Sequence, residues 1–79
     1  MKRTKSEVIS KILETCLIGT NKTRIVYSSN LNFRTVVPYL DSLILNGHII
    51  KTNEEVPRYK TTEKGKELLA IIKKAHEIL

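Results

Sequence analysis

Between Lys22 and Gly47 the chain reads KTRIVYSSNLNFRTVVPYLDSLILNG, and this stretch leaves few folds open. On its C-terminal side Val36, Val37, Leu40, Leu43 and Ile44 recur at spacings of three and four, the period of one helical face. Asn32 is placed to cap that helix, because its side-chain oxygen can accept from the free N–H groups of the first turn. Asn46-Gly47 closes it, with Gly47 suited to the left-handed position after a helix end. On the N-terminal side Thr23 is a candidate cap for a shorter helix, Arg24 to about Ser29. Its inward residues are Ile25 and Val26, with Tyr27 at the margin. Ser28, Ser29 and Asn30 make a polar break, and Leu31, the single apolar residue of the turn, is placed to pack between the two helices. A short helix, a tight turn and a longer helix form a helix-turn-helix. Pro38 resists this reading. It removes a hydrogen bond to the carbonyl of Arg34, at a cost of up to ~3 kcal/mol in an exposed helix. The apolar period runs through it unbroken, so a kinked helix is expected rather than a break.

The flanking segments supply scaffold. Thr4 and Glu7 have the spacing of a capping box, and Val8, Ile9, Ile12, Leu13, Cys16 and Leu17 follow as an amphipathic stripe that Gly19 ends. Thr20 to Lys22 has room for one short strand. After Gly47 the period changes to two. His48 to Thr52 reads as a strand, 53–57 as a loop, and Arg58 to Thr61 as the return strand, with Tyr59 facing in and Arg58 and Lys60 out. Thr62 caps a last helix, 62–79, with apolar positions Leu68, Leu69, Ile71, Ile72, Ala75, Ile78 and Leu79. Their rhythm is that of a heptad seam, longer than one small core can cover, so about two turns should protrude. Gly65 in the first turn implies close packing. The expected fold is mainly α with a small β-hairpin: a single domain, 1–79, in which a helix-turn-helix is followed by a wing and a C-terminal amphipathic helix.

Charge and composition narrow the function. Lys and Arg number 14 against 8 acidic residues in 79, a net charge of +6, and such an excess attracts polyanions. A basic surface with no polyanion partner is the bland alternative. A chain this short buries only roughly 60% of its unfolded surface, and small domains often add a staple or a second subunit. Cys16 is the only cysteine, so no disulfide can form within the chain, and its place on the apolar stripe makes it a buried, inert thiol. One Asp, one Cys and two His form no catalytic triad, phosphate loop or metal motif, so no enzyme, cofactor or metal site is expected, and His48 reads as structural. No run of ~18 apolar residues is present, and the segment after the basic start is broken by Glu7, Lys11 and Glu14. A cytoplasmic, nucleoid-associated location with no membrane or small-molecule partner is the expectation.

The residues Lys22-Thr23-Arg24, Tyr27, Asn30-Leu31-Asn32, Tyr39-Leu40, Leu43, Gly47, Ile49, Tyr59 and Thr62-Glu63-Lys64-Gly65 carry a resemblance over residues 4–72. The chain resembles the small archaeal winged-helix family that includes the 10a group of dimeric chromosomal proteins. The resemblance implies a winged helix that binds double-stranded DNA and dimerises through its last helix.

In such a scheme the N-terminal residues of the second helix meet base edges. Here these are Asn32, Arg34 and Thr35, and Arg and Asn have the bidentate chemistry for guanine and adenine. No acidic residue lies between Glu14 and Asp41, so the motif presents a basic face. Lys22, Arg24 and Ser28 at or near the start of the shorter helix, Tyr39, and Lys51, Arg58 and Lys60 of the hairpin are the phosphate candidates. Leu68, Ile71, Ile72, Ala75, Ile78 and Leu79 are the candidate dimer seam. The expected function is a homodimeric DNA-binding transcription regulator or chromosomal architectural protein. A winged-helix protein-interaction module that binds no DNA is the alternative.

Overall fold

The computed structural model describes residues 4–78. Its elements in order are α1 (Lys5–Thr15), α2 (Lys22–Ser29), α3 (Phe33–Leu45), β1 (Ile49–Lys51), β2 (Tyr59–Thr61) and α4 (Glu63–Ile78). Four helices and one two-stranded antiparallel hairpin make a winged helix. Lys2, Arg3 and Leu79 lie outside the described residues.

Each helix starts where a short polar side chain can serve its first N–H groups. Thr4 Oγ1 accepts from the backbone N–H of Glu7 at 3.2 Å and opens α1. α1 ends at Thr15 rather than running to Gly19. The reason is tertiary: the chain must leave the helix early enough to carry Thr20 alongside Tyr59, where the two residues exchange backbone hydrogen bonds of 3.0 and 2.7 Å. Gly19, with φ of 85°, supplies the left-handed step.

The core lies between α1, the helix-turn-helix and the hairpin. Ile12, Leu13, Cys16, Ile25, Val36, Leu40 and Ile49 are all within 1% of full burial, and Leu69 joins them from α4. Burial of each such large aliphatic side chain contributes about 1.5–3 kcal/mol. Desolvation pushes the Cys16 thiol up to about 12, which keeps it neutral and unreactive.

The hairpin pairs Ile49 with Thr61, Ile50 with Lys60 and Lys51 with Tyr59. It is joined to α1 by Thr61, whose hydroxyl donates to the Leu13 carbonyl at 2.7 Å and whose N–H donates to the Cys16 carbonyl at 3.0 Å. The end of α3 is held from the other side. Thr62 Oγ1 donates to the Gly47 carbonyl at 2.6 Å and Lys64 Nζ to the Asn46 carbonyl at 2.7 Å, a cation placed at the negative end of the helix dipole. Gly65 permits this approach. A Cβ there would overlap the His48 carbonyl oxygen.

α4 does not protrude by two turns. It lies against α1 as far as His76, whose Nε2 is 3.3 Å from Ser6 Oγ, and Lys73 pairs with Glu14 at 3.5 Å. The apolar positions of α4 therefore divide. Leu69 and Ile72 turn inward, while Ile71, Ala75 and Ile78 stay exposed and Leu68 is half-buried. Ile72 is consequently removed from the expected dimer seam, because its own chain covers it.

Candidate nucleic-acid interface

Three asparagines set the geometry of the motif. Asn21, not Thr23, caps α2: its Oδ1 accepts from the Arg24 N–H at 2.9 Å. The helix therefore begins two residues earlier than expected and includes Lys22 as its first residue. Asn30 ends α2 in the left-handed conformation, φ 57° and ψ 37°, which turns the chain sharply. Asn and Gly are the residues that enter that region at least cost. Asn32 then caps α3, its Oδ1 accepting from the Thr35 N–H at 2.9 Å. Leu31 between them packs against the core, as expected of the turn's one apolar residue.

α3 runs without interruption through Pro38. Val36, Leu40 and Leu43 face inward. The opposite stripe is Arg34, Pro38, Asp41 and Leu45, spaced four, three and four apart, and all four are exposed. Arg34 and Thr35 thus stand free at the N-terminal end. Asn32 is exposed too, but its oxygen is committed to the cap, so bidentate reading of adenine requires it to give up that bond. Asp41, two turns beyond Arg34, places a carboxylate on the same stripe and confines an anion-compatible surface to the first turn of the helix.

The phosphate candidates fall into distinct places. Lys22 is half-buried as the first residue of α2, and Arg24, in the same first turn, is exposed. Arg24 and Arg58 line one surface depression with Gly19, Thr20 and Asn21, and Arg58 Nη2 donates to the Gly19 carbonyl at 2.9 Å. This bond ties the base of the wing to the start of α2 and brings two guanidinium groups to the positive end of that helix. Ser28 is not near that end. It sits in the last turn of α2, sharing a side of the helix with Arg24. Tyr39 packs against the core and lines a groove between α1 and α3 with Lys5, Ile9, Pro38, Ser42 and Leu43.

The hairpin lysines are separated by register. Lys60 pairs with the outward Ile50, whereas Lys51 pairs with Tyr59, whose side chain is 3% exposed and faces the domain. Cross-strand partners share a face, so Lys51 and Lys60 project from opposite faces and cannot follow one phosphate strand together. At the tip, Glu54 Oε2 accepts from Thr52 Oγ1 at 2.9 Å, which folds that carboxylate back onto the hairpin.

Two aromatic side chains on this surface are more exposed than the sequence implies. Tyr27, expected at the inward margin of α2, is 82% exposed, and Phe33, the first residue of α3, is 49% exposed. Phe33 lies three residues before Val36, on the spacing that continues to Leu40 and Leu43, so periodicity alone would have placed it inward; its position at the very start of the helix leaves it half out. Among the described residues no three His, Cys, Asp or Glu side chains gather as metal ligands, and no helix is long and apolar enough to cross a membrane.

Comparison with known proteins agrees with the architecture. The uncharacterized protein MJ0287 of Methanocaldococcus jannaschii is 40% identical over 79 residues, covering 99% of this chain and 78% of that protein. The crystal structure of Sso10a-2, a DNA-binding protein from Sulfolobus solfataricus, superposes with a TM-score of 0.90 at 31% identity, covering 96% of this chain and 81% of that one. A family profile described as winged helix-turn-helix matches residues 2–79. With the profile matched over nearly its whole length, the chain belongs to the winged helix-turn-helix family.

Proposed function

We propose that this chain binds double-stranded DNA, with the first turn of α3 in the major groove and the Arg24–Arg58 depression on the phosphate backbone. The observation that carries the reading is the exposed, acid-free surface from the start of α2 to Arg34 and Thr35. Family membership and the likeness to Sso10a-2, itself described as DNA-binding, support it. One cation on α3 and the carboxylate of Asp41 favour a chromosomal architectural role over a regulator of one operator. The chain acts as a homodimer through the stripe Leu68, Ile71, Ala75 and Ile78, whose three-four-three spacing is that of a short coiled-coil seam.

Gel retardation of duplex DNA tests the reading. Affinity should fall with a slope of about −0.9 in log K against log salt for each phosphate neutralised. Arg34→Ala should weaken binding and alter sequence preference; Lys22→Ala should weaken it evenly and lower the slope by about one. Selection from a random duplex pool at two salt concentrations separates the roles: a sharp motif marks a regulator, a flat profile an architectural protein. Absence of retardation at ~50 mM salt, where counterion release is strongest, would leave the protein-interaction module as the function. Sedimentation equilibrium of Ile71→Glu tests the dimer, which should become monomeric.

A further inference from the structure

We infer that Phe33, with the accessible edge of Val37, forms an apolar surface that reads the 5-methyl groups of thymine in the major groove. This rests on the DNA-binding reading above and adds what that surface recognises.

Phe33 is the first residue of α3, next to Arg34, at the end of the helix that meets base edges in a helix-turn-helix. It takes no part in the core, whose α3 contribution is Val36, Leu40 and Leu43 with Tyr39 and Ile44 at the edge. Phe33 and Val37 are one helical turn apart and so neighbours on the helix surface, and Arg34 and Pro38 form the next such pair. Isolated exposed apolar residues need no explanation. Here Phe33 and Val37 are helical neighbours, and Phe33 stands in the first turn of α3 beside the one cation of that helix.

Chemical complementarity then identifies the target. Asn32 spends its oxygen on the cap, which leaves Arg34 and Thr35 as the free polar readers. The edges of base pairs in the major groove present donors, acceptors and one apolar group, the thymine methyl, for which Phe and the methyl of Thr are suitable partners. Phosphates offer nothing to a phenyl ring, and the end of the helix that carries this one is the end that meets base edges. Asp41, on the stripe of Arg34, sets a carboxylate against close approach of the C-terminal half of α3 to phosphates and leaves the first turn, with Phe33, as the favoured end.

Fluorescence anisotropy at ~50 mM salt, where electrostatic binding is strong, tests this with the full chain and two duplexes. One is an alternating A·T duplex; the other carries deoxyuridine at every thymine and so lacks only the methyl groups. The wild-type protein should bind the thymine duplex about fourfold more tightly for each methyl contacted. Phe33→Ala should bring that ratio toward one without changing the salt slope, because no phosphate contact is lost. Phe33→Leu should preserve much of it. Placing 5-methylcytosine in a G·C duplex should tighten wild-type binding. Circular dichroism checks that each variant is folded. Equal affinity of the wild type for both duplexes overturns this inference and leaves DNA binding standing, and so does a ratio that survives Phe33→Ala unchanged. Failure to bind either duplex overturns the DNA-binding reading and this one with it.

Discussion

Gly65→Ala sets two effects of opposite sign against each other. In an exposed helix, replacing Gly by Ala gains about 1 kcal/mol of helix propensity. At Gly65 the added Cβ would overlap the His48 carbonyl oxygen, stand 2.6 Å from Thr61 Cγ2 and 3.1 Å from the His48 carbonyl carbon, where ordinary contact begins at 3.4 Å. Neither neighbour can yield. The His48 carbonyl accepts from the Thr62 N–H at 3.0 Å, and Thr61 is 2% exposed and bonded to Leu13. α4 itself must back away, which strains the Thr62 and Lys64 bonds to the end of α3. Overpacking of this kind costs about 1–3 kcal/mol, and with backbone as the obstacle the upper end applies. After the propensity gain the net loss is roughly 2 kcal/mol, a fall in Tm of roughly 8–16 °C for a domain of this size. Urea unfolding followed by far-UV circular dichroism should show a lower midpoint at unchanged slope. A variant as stable as the wild type, or more so, would refute the claim that this glycine governs how closely α4 docks.

Thr61→Val keeps the shape of the side chain but removes the hydroxyl that donates to Leu13, and should cost about 1–3 kcal/mol in thermal unfolding; no change would mean that the Leu13 carbonyl has another donor. Asn30 occupies φ 57°, so Asn30→Ala should destabilise by about 1 kcal/mol while Asn30→Gly should be neutral or stabilising by chemical denaturation. Cys16, with its pKa raised from 9.0 to about 12, is neutral in the fold and should be alkylated by iodoacetamide at pH 8 only through unfolding, at a rate that rises with urea. Because folding raises this pKa, the contribution of Cys16 to stability is complete below pH 9 and is lost as pH climbs toward 12, a dependence that Cys16→Ala should lack.

The helices and the hairpin were legible because their periodicities are local. Caps were less so. Asn21 and Thr23 are both competent caps two residues apart, and only the packing of Ile25 and Ser29 on the inner side of α2 decides between them. The early end of α1 was invisible for a similar reason: the pairing of Thr20 with Tyr59 joins residues 39 apart, and no local pattern announces it. On α4 the apolar residues looked like a single seam. They are two adjacent faces, and periodicity does not say which of them the domain claims; the structure gives Leu69 and Ile72 to α1. In the candidate interface, Arg34 and Thr35 could be placed from spacing alone. The commitment of Asn32 to its cap, the opposed directions of Lys51 and Lys60, and the exposure of Phe33 could not, since each depends on atoms rather than on residue type.

The two bonds from Thr61 to the end of α1 make the middle of the chain a closed circuit, Leu13 and Thr61 lying 48 positions apart. Everything that makes up the helix-turn-helix lies inside it. The Leu13 carbonyl therefore gains the Thr61 hydroxyl, and the Cys16 carbonyl its second donor beside the Gly19 N–H, only when the hairpin is docked. Such a ring has no stable partial opening. Protected amides of α1, α3 and β2 should therefore exchange with solvent through one common global event rather than element by element.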